Sequence, residues 1–206
     1  MARPRTHDEA LAQRLVDQAG KILAEHGPGA LSLRALAAAA GTSTSAVYAL
    51  FGGKPALLAA VYAEAFRRLH THLAAVPATS DPAADLVALG LAYRDAALAS
   101  PHLYPVMFGQ ASDGLDPDPP ARRAAREALD VLAATIRRGV RAEVFPPRST
   151  RRLTLAAWAL VHGLVSLELD RKLPPGSRPA ADYQAILRAT VTGWQHEPTV
   201  TRRQPA

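Results

Sequence analysis

The 206-residue chain is expected to be all-α, built from about nine helices with no strand. Three observations carry that expectation. Apolar residues recur at three- and four-residue spacing over most of the chain, each interruption is a Gly or Pro cluster, and no run alternates apolar and polar residues as a strand does. No segment repeats at a fixed period.

In order, Thr6-His7-Asp8-Glu9 reads as a capping box, and Leu11, Leu15, Ala19, Ile22 and Leu23 then recur at helical spacing up to Gly27. Ser32 is a side-chain acceptor placed to cap a short second helix that buries Leu33, Leu36 and Ala40. Ala37 is small enough for close helix approach, and Gly41 reaches the positive φ that a turn out of a helix needs. Ser43 caps a third helix, which turns Val47, Leu50 and Phe51 inward and leaves Thr44, Ser45, Ala46, Tyr48 and Ala49 to project. A long fourth helix opens at Gly52-Gly53-Lys54 and reaches about Val76. Asp81-Pro82 and Ser100-Pro101 each pair a cap with proline at the first helical position, which starts helices over 82–99 and 101–109. Residues 111–120, ASDGLDPDPP, combine turn formers with acids and read as a loop. Helices over 121–144, 149–173 and 180–194 follow, broken at Pro146-Pro147 and at Pro174-Pro175-Gly176.

Residues 32–58 therefore read as two short helices joined by a glycine turn, a helix-turn-helix. At Ala40-Gly41-Thr42-Ser43, Tyr48, Leu50-Phe51 and Lys54 the sequence resembles the tetracycline-repressor (TetR) family, closely over residues 8–62. It departs from the family pattern in three places. Thr42 replaces an apolar turn residue, Gly52-Gly53 replaces a Pro-Ser type cap, and Ala49-Leu50 lacks a second aromatic or His. Further on, Trp158, His162 and Gly163 within WALVHGLVSLEL resemble a C-terminal domain named for its Trp-His-Gly residues, in one branch of that family. The resemblance implies a DNA-binding domain over 1–53 and a helical effector-binding and dimerisation domain over 54–196; residues 197–206 are expected to be a disordered tail.

The resemblance implies that Tyr48 and Lys54 meet DNA phosphates, and their chemistry agrees, since a phenol and an ammonium at a helix start both suit phosphate oxygens. The alternatives are a core tyrosine and a solvated lysine. Ser43, Thr44 and Ser45 offer hydroxyls to base edges or phosphate, whereas Ala46 and Ala49 offer only methyl contact to thymine. Arg34 either clamps phosphate or sits in water. Arg3 and Arg5 form a basic arm that enters a minor groove or stays disordered. One such unit reads few base pairs, so a homodimer on an approximately palindromic double-stranded operator is expected. Its interface should come from the last two long helices, through Leu153, Leu160 and Leu164 on one and Tyr183, Leu187 and Val191 on the other. An apolar effector pocket would draw on Phe66, Tyr93, Tyr104, Met107, Phe108, Trp158 and His162, an aromatic set that fits a hydrophobic, weakly polar small molecule, although each residue also serves as plain core. For His162 the structural role comes first, stacked under Trp158 one turn earlier.

Composition sets the outer bounds. The formal charge of +6 favours an anionic partner, although scarce lysine beside abundant Arg, Ala, Pro and Gly is also what a GC-rich coding sequence produces. The arginines of 122–152 read first as a solvated face, with an anionic effector or further DNA contact as the sharper reading. With no cysteine there is neither a disulfide framework nor a thiolate zinc site. No apolar signal region opens the chain and the uncharged run Leu153–Leu167 falls short of the ~20 residues of a membrane span, so a cytoplasmic protein is expected. No nucleophile elbow, phosphate-binding glycine loop, paired carboxylates or metal cluster is present, and no cofactor, metal or catalytic residue is assigned. The resulting expectation is a dimeric, ligand-responsive transcriptional regulator, a repressor released by a small molecule. The alternative is a helical ligand-binding or interaction protein with little sequence-specific DNA binding.

Overall fold

The computed structural model describes residues 5–108, 119–147 and 150–195. The basic arm at Arg3, most of the 111–120 loop and the 197–206 tail lie outside them. Among the described residues are nine α-helices and no strand: α1 Arg5–His26, α2 Leu33–Ala39, α3 Thr44–Phe51, α4 Lys54–Ala74, α5 Pro82–Ala99, α6 Tyr104–Phe108, α7 Pro119–Arg141, α8 Thr150–Leu169 and α9 Pro179–Gln195. A 3₁₀ turn at Pro28–Ala30 was not foreseen from the sequence.

Local chemistry sets most helix ends where the sequence puts them. Ser32 and Ser43 Oγ accept the Ala35 and Ala46 N–H groups at the starts of α2 and α3. Asp81 Oδ1 accepts both Ala83 and Ala84 N–H at the start of α5. Of the boundaries that differ, four matter most. The first helix begins at Arg5, which places Thr6 inside it rather than at its cap. Ser100-Pro101 opens a turn through Leu103 before α6, instead of a helix at once. The seventh and eighth helices stop at Arg141 and Leu169, short of 144 and 173, because Glu143 and Arg171 take left-handed φ of 56°. Their N–H groups and those of the next residues turn back on the helix ends: Glu143 to Val140, Val144 to Gly139, Arg171 to Glu168 and Lys172 to Leu167. That is a Schellman closure, normally flagged by glycine, and no glycine marks either one.

The chain divides into two compact units, Met1–His70 with Ala99–Ala128, and Thr71–Leu98 with Leu129–Ala206. This division does not follow the expected boundary after residue 53, since most of α4 packs with the first unit. In that unit Leu15, Leu23, Leu36, Val47, Leu57, Val61, Leu103 and Val106 form one apolar core to which α1, α2, α3, α4 and α6 all contribute. A Cβ on Gly20 would lie 2.6 Å from Leu103 Cδ2, which is how closely α1 meets the turn before α6. The same elements share a polar clamp. Arg68 of α4 donates to Asp17 of α1 and to Glu64, each at 2.7 Å, and to Ser100 Oγ at 3.4 Å, while Gln13 of α1 donates to Glu64 at 2.9 Å. Burial alone would raise the Glu64 carboxyl, but the Arg67, Arg68 and Gln13 donors outweigh it and hold its pKa below the usual range.

The second unit holds α5, α8 and α9 together by three kinds of contact. Arg94 of α5 makes a two-pronged ion pair with Glu168 of α8 at 2.6 and 2.8 Å, both side chains only 15% exposed. Tyr183 of α9 donates its hydroxyl to the Gly90 carbonyl at 3.0 Å, beneath the Arg94 guanidinium. Leu187 of α9 fills the space a side chain on Gly90 would take. Beside these, Leu86, Ile136, Phe145, Leu153, Ala157 and Val191 form the apolar core.

Candidate nucleic-acid interface

The helix-turn-helix geometry rests on Gly41. With φ of +67° it lets Thr42 N–H reach Ala37 O at 2.9 Å and its own N–H reach Ala38 O at 3.1 Å, closing α2 while the chain turns toward α3. Leu36, Ala37 and Val47 are buried between the two helices and α1. At the far end Gly52, also left-handed, donates to Tyr48 O at 2.7 Å and ends α3.

These closures fix which side chains of α3 face out. Tyr48 is 54% exposed, and Ser45 and Ala49 are exposed beside it. Its ring lies over Gly53, the residue before Lys54, so Tyr48 and the half-buried Lys54 occupy one corner of the surface. Arg34 is exposed on the first turn of α2. Thr44 is half-buried, and Ser43 Oγ is committed to the Ala46 N–H and lies 2.9 Å from Ser45 Oγ. Contrary to the sequence expectation, Ala46 does not project but packs on the core with Leu50 and Phe51, because it lies four residues before Leu50 and beside the buried Val47, on the inward edge of the helix.

The expected effector residues are divided between the two units. Phe66, Tyr104, Met107 and Phe108 belong to the first unit, where Tyr62, Phe66, Phe108 and Tyr104 form a chain of ring contacts at 4.9, 5.5 and 5.2 Å. Tyr93, Trp158 and His162 belong to the second unit, with Trp158 against His162 at 6.4 Å between centroids. Burial pushes the His162 imidazole below its ordinary pKa, which favours the neutral ring. A cleft of about 320 Å³ in the second unit is lined by residues that include Val76, Asp85, Leu89, Thr135, Arg138 and Arg141. Its floor is polar. Asp85 is buried and accepts Thr79 N–H at 2.9 Å, Thr79 O–H at 2.7 Å and the Arg138 guanidinium; desolvation would raise its pKa, but these donors lower it.

Four of the six dimer candidates are buried within the single chain: Leu153 and Val191 in the core around Phe145, Leu187 against Gly90, and Tyr183 by its bond to that glycine. They serve the protomer's own packing and are not a free face. Leu160 and Leu164 are half-buried. The exposed apolar surface lies one step around the same helices. Leu155 and Leu167 are 57% and 41% exposed, Ala156 and Ala159 are exposed between them, and Ile186 of α9 is 37% exposed. The spacing 156, 159, 163, 167, small residues between leucines, was the signal in the sequence that would have found it. By length and composition alone α8 is apolar enough to cross a membrane, and only 22% of its most apolar stretch is buried.

Comparison with known proteins agrees with this geometry. Residues 15–61 match the family described as bacterial regulatory proteins, tetR family, and residues 86–193 match the tetracyclin repressor-like C-terminal domain, a match that does not name the Trp-His-Gly branch. No curated protein matches. Among solved structures, a protein of unknown function from Rhodococcus sp. RHA1 is 28% identical with a TM-score of 0.78, over 90% of this chain and 96% of its own. The TetR family transcriptional regulator PfmR from Thermus thermophilus is 21% identical at a TM-score of 0.68, over 98% of this chain and 100% of its own. The fatty acid degradation regulator FadR from Bacillus halodurans is 17% identical at 0.72, over 95% and 96%. The last two share the fold.

Proposed function

Because the chain belongs to the TetR family of transcriptional regulators, we propose that it binds a palindromic operator as a homodimer and is released by a small molecule. The observation that carries the reading is the α2–α3 pair, whose two caps and glycine turn present Ser45, Tyr48 and Ala49 outward above Lys54 and Arg34. Tyr48, Lys54 and Arg34 hold phosphates, and Ser43, Thr44 and Ser45 line the groove side.

Dimerisation uses the exposed stripe of α8 with Ile186 of α9. An added Cβ at Gly163 or Gly193 meets no atom within 4 Å, so a partner helix has room to approach there. A four-helix bundle of two such pairs buries the apolar surface that makes α8 resemble a membrane span. The effector is a small, largely apolar molecule taken up in the helical half. Release follows from a population shift: the ligand favours an arrangement in which α4 tilts and the two recognition helices leave register with successive grooves. A tenfold loss of operator affinity requires only ~1.4 kcal/mol of differential ligand affinity.

The test is selection of random and genomic fragments by the purified protein at moderate salt. One palindrome with half-sites about one helical turn, ~34–36 Å, or a multiple apart supports the reading. Purely salt-sensitive retention without sequence preference refutes it and leaves the +6 charge as the binding agent. Leu155→Lys with Ile186→Lys should halve the mass seen by light scattering. A ligand that raises the melting temperature yet leaves operator affinity unchanged refutes release.

A further inference from the structure

We infer that the operator is read through thymine methyl groups, with no guanine recognised by α3; this rests on the reading of α3 as the recognition helix. The helix is TSAVYALF, which holds no Arg, Lys, Asn, Gln, Asp or Glu. In the major groove guanine is selected by Arg or Lys at O6 and N7, adenine by Asn or Gln at N6 and N7, and cytosine by a carboxylate at N4. Every one of those contacts is unavailable here. What remains is two hydroxyls, those of Thr44 and Ser45, a phenol and apolar contact.

The structure sorts the remainder further. Val47 is fully buried, and Ala46, Leu50 and Phe51 pack on the core, so four residues of the eight cannot reach a groove. Of the hydroxyls, Thr44 is half-buried, and Ser45 Oγ lies in hydrogen-bond contact with Ser43 Oγ, which itself accepts the Ala46 N–H. A serine hydroxyl so engaged discriminates weakly, because it donates and accepts alike. The outward apolar surface is the Tyr48 ring, 54% exposed, whose hydroxyl alone is given to phosphate, together with the exposed Ala49 methyl next to it. On a major-groove base edge the feature that such a surface recognises is the C5-methyl of thymine. The two cations nearby, Arg34 and Lys54, stand on α2 and at the start of α4, where a helix-turn-helix meets the sugar-phosphate backbone. The half-site is therefore rich in A·T pairs beneath Tyr48 and Ala49, and groove shape supplies the rest of the selectivity.

The experiment starts from the site recovered by selection with the full-length dimer. Each thymine is replaced in turn by deoxyuridine, which removes the C5-methyl and nothing else. At one or two positions per half-site affinity should fall about fourfold, the worth of one buried methyl, and by about the square of that when both half-sites are changed. Ala49→Gly should abolish the deoxyuridine penalty at its own position. Ala49→Asn, which keeps the helix, should shift preference there toward adenine. Two results overturn the inference while leaving operator binding intact: unchanged affinity with every thymine replaced, or an invariant guanine under α3 whose N7 methylation blocks the complex. Recovery of no sequence at all overturns the operator reading and this inference with it.

Discussion

Replacing Lys54 by Ala separates a phosphate contact from a solvated charge. Lys54 opens α4 and is half-buried, beside the Tyr48 ring that lies on Gly53. Each phosphate neutralised contributes about 0.9 to the slope of log affinity against log salt, and a dimer contributes two copies, so the variant's slope should be shallower by about 1.8. Between 50 and 200 mM salt the ratio of wild-type to variant affinity should then shrink about tenfold, with the largest loss at low salt. Stability should stay within about 0.5 kcal/mol, as for an ordinary surface substitution. Fluorescence anisotropy of labelled operator at four or five salt concentrations measures the slope directly. Parallel salt plots for the two proteins would refute the assignment, whatever the absolute affinities.

Three further outcomes concern the frame that carries the site. Arg94→Met leaves Glu168, 15% exposed, without its two-pronged partner, and should cost about 2–3 kcal/mol in urea unfolding, below the 3–5 of a fully buried pair; a loss under about 0.5 kcal/mol would show that water replaces the arginine. Gly139→Ala would place a Cβ 2.2 Å from the ring of the fully buried Phe145, so overpacking outweighs the better helix propensity and the net loss should be about 1–2 kcal/mol, with a stabilised variant contradicting this. The Asp85 carboxyl is held below its ordinary pKa, so its contribution is present above the unfolded value of about 4 and is lost as pH falls through the lower, folded value. The stability gap between wild type and Asp85→Asn should therefore close in acid, and a gap constant down to pH 2.5 would deny the Thr79 and Arg138 bonds that role.

Helix order, the two serine caps, the glycine turn and the outward Tyr48 were all legible in the sequence, because each depends on residues no more than about four apart. Boundaries were lost where the local signal was silent. Glu143 and Arg171 adopt left-handed φ without being glycine, and in the first case Phe145 docking against Gly139 holds the turn. Ala46 misled for a related reason: its small side chain gives no hydropathy contrast, so only the packing of α3 on α1 shows that it faces inward.

The sequence by itself determined an all-α chain with an N-terminal helix-turn-helix and a basic charge balance, since these follow from periodicity, caps and composition. Tertiary structure alone decided which apolar stripe is core and which is free. On α8 and α9 several faces are hydrophobic, and periodicity cannot rank them, because the choice depends on where α5 lies. The Arg94–Glu168 pair, the Tyr183–Gly90 bond and Leu187 in the space above Gly90 turn Leu153, Tyr183, Leu187 and Val191 inward, and so leave Leu155, Leu167 and Ile186 outside.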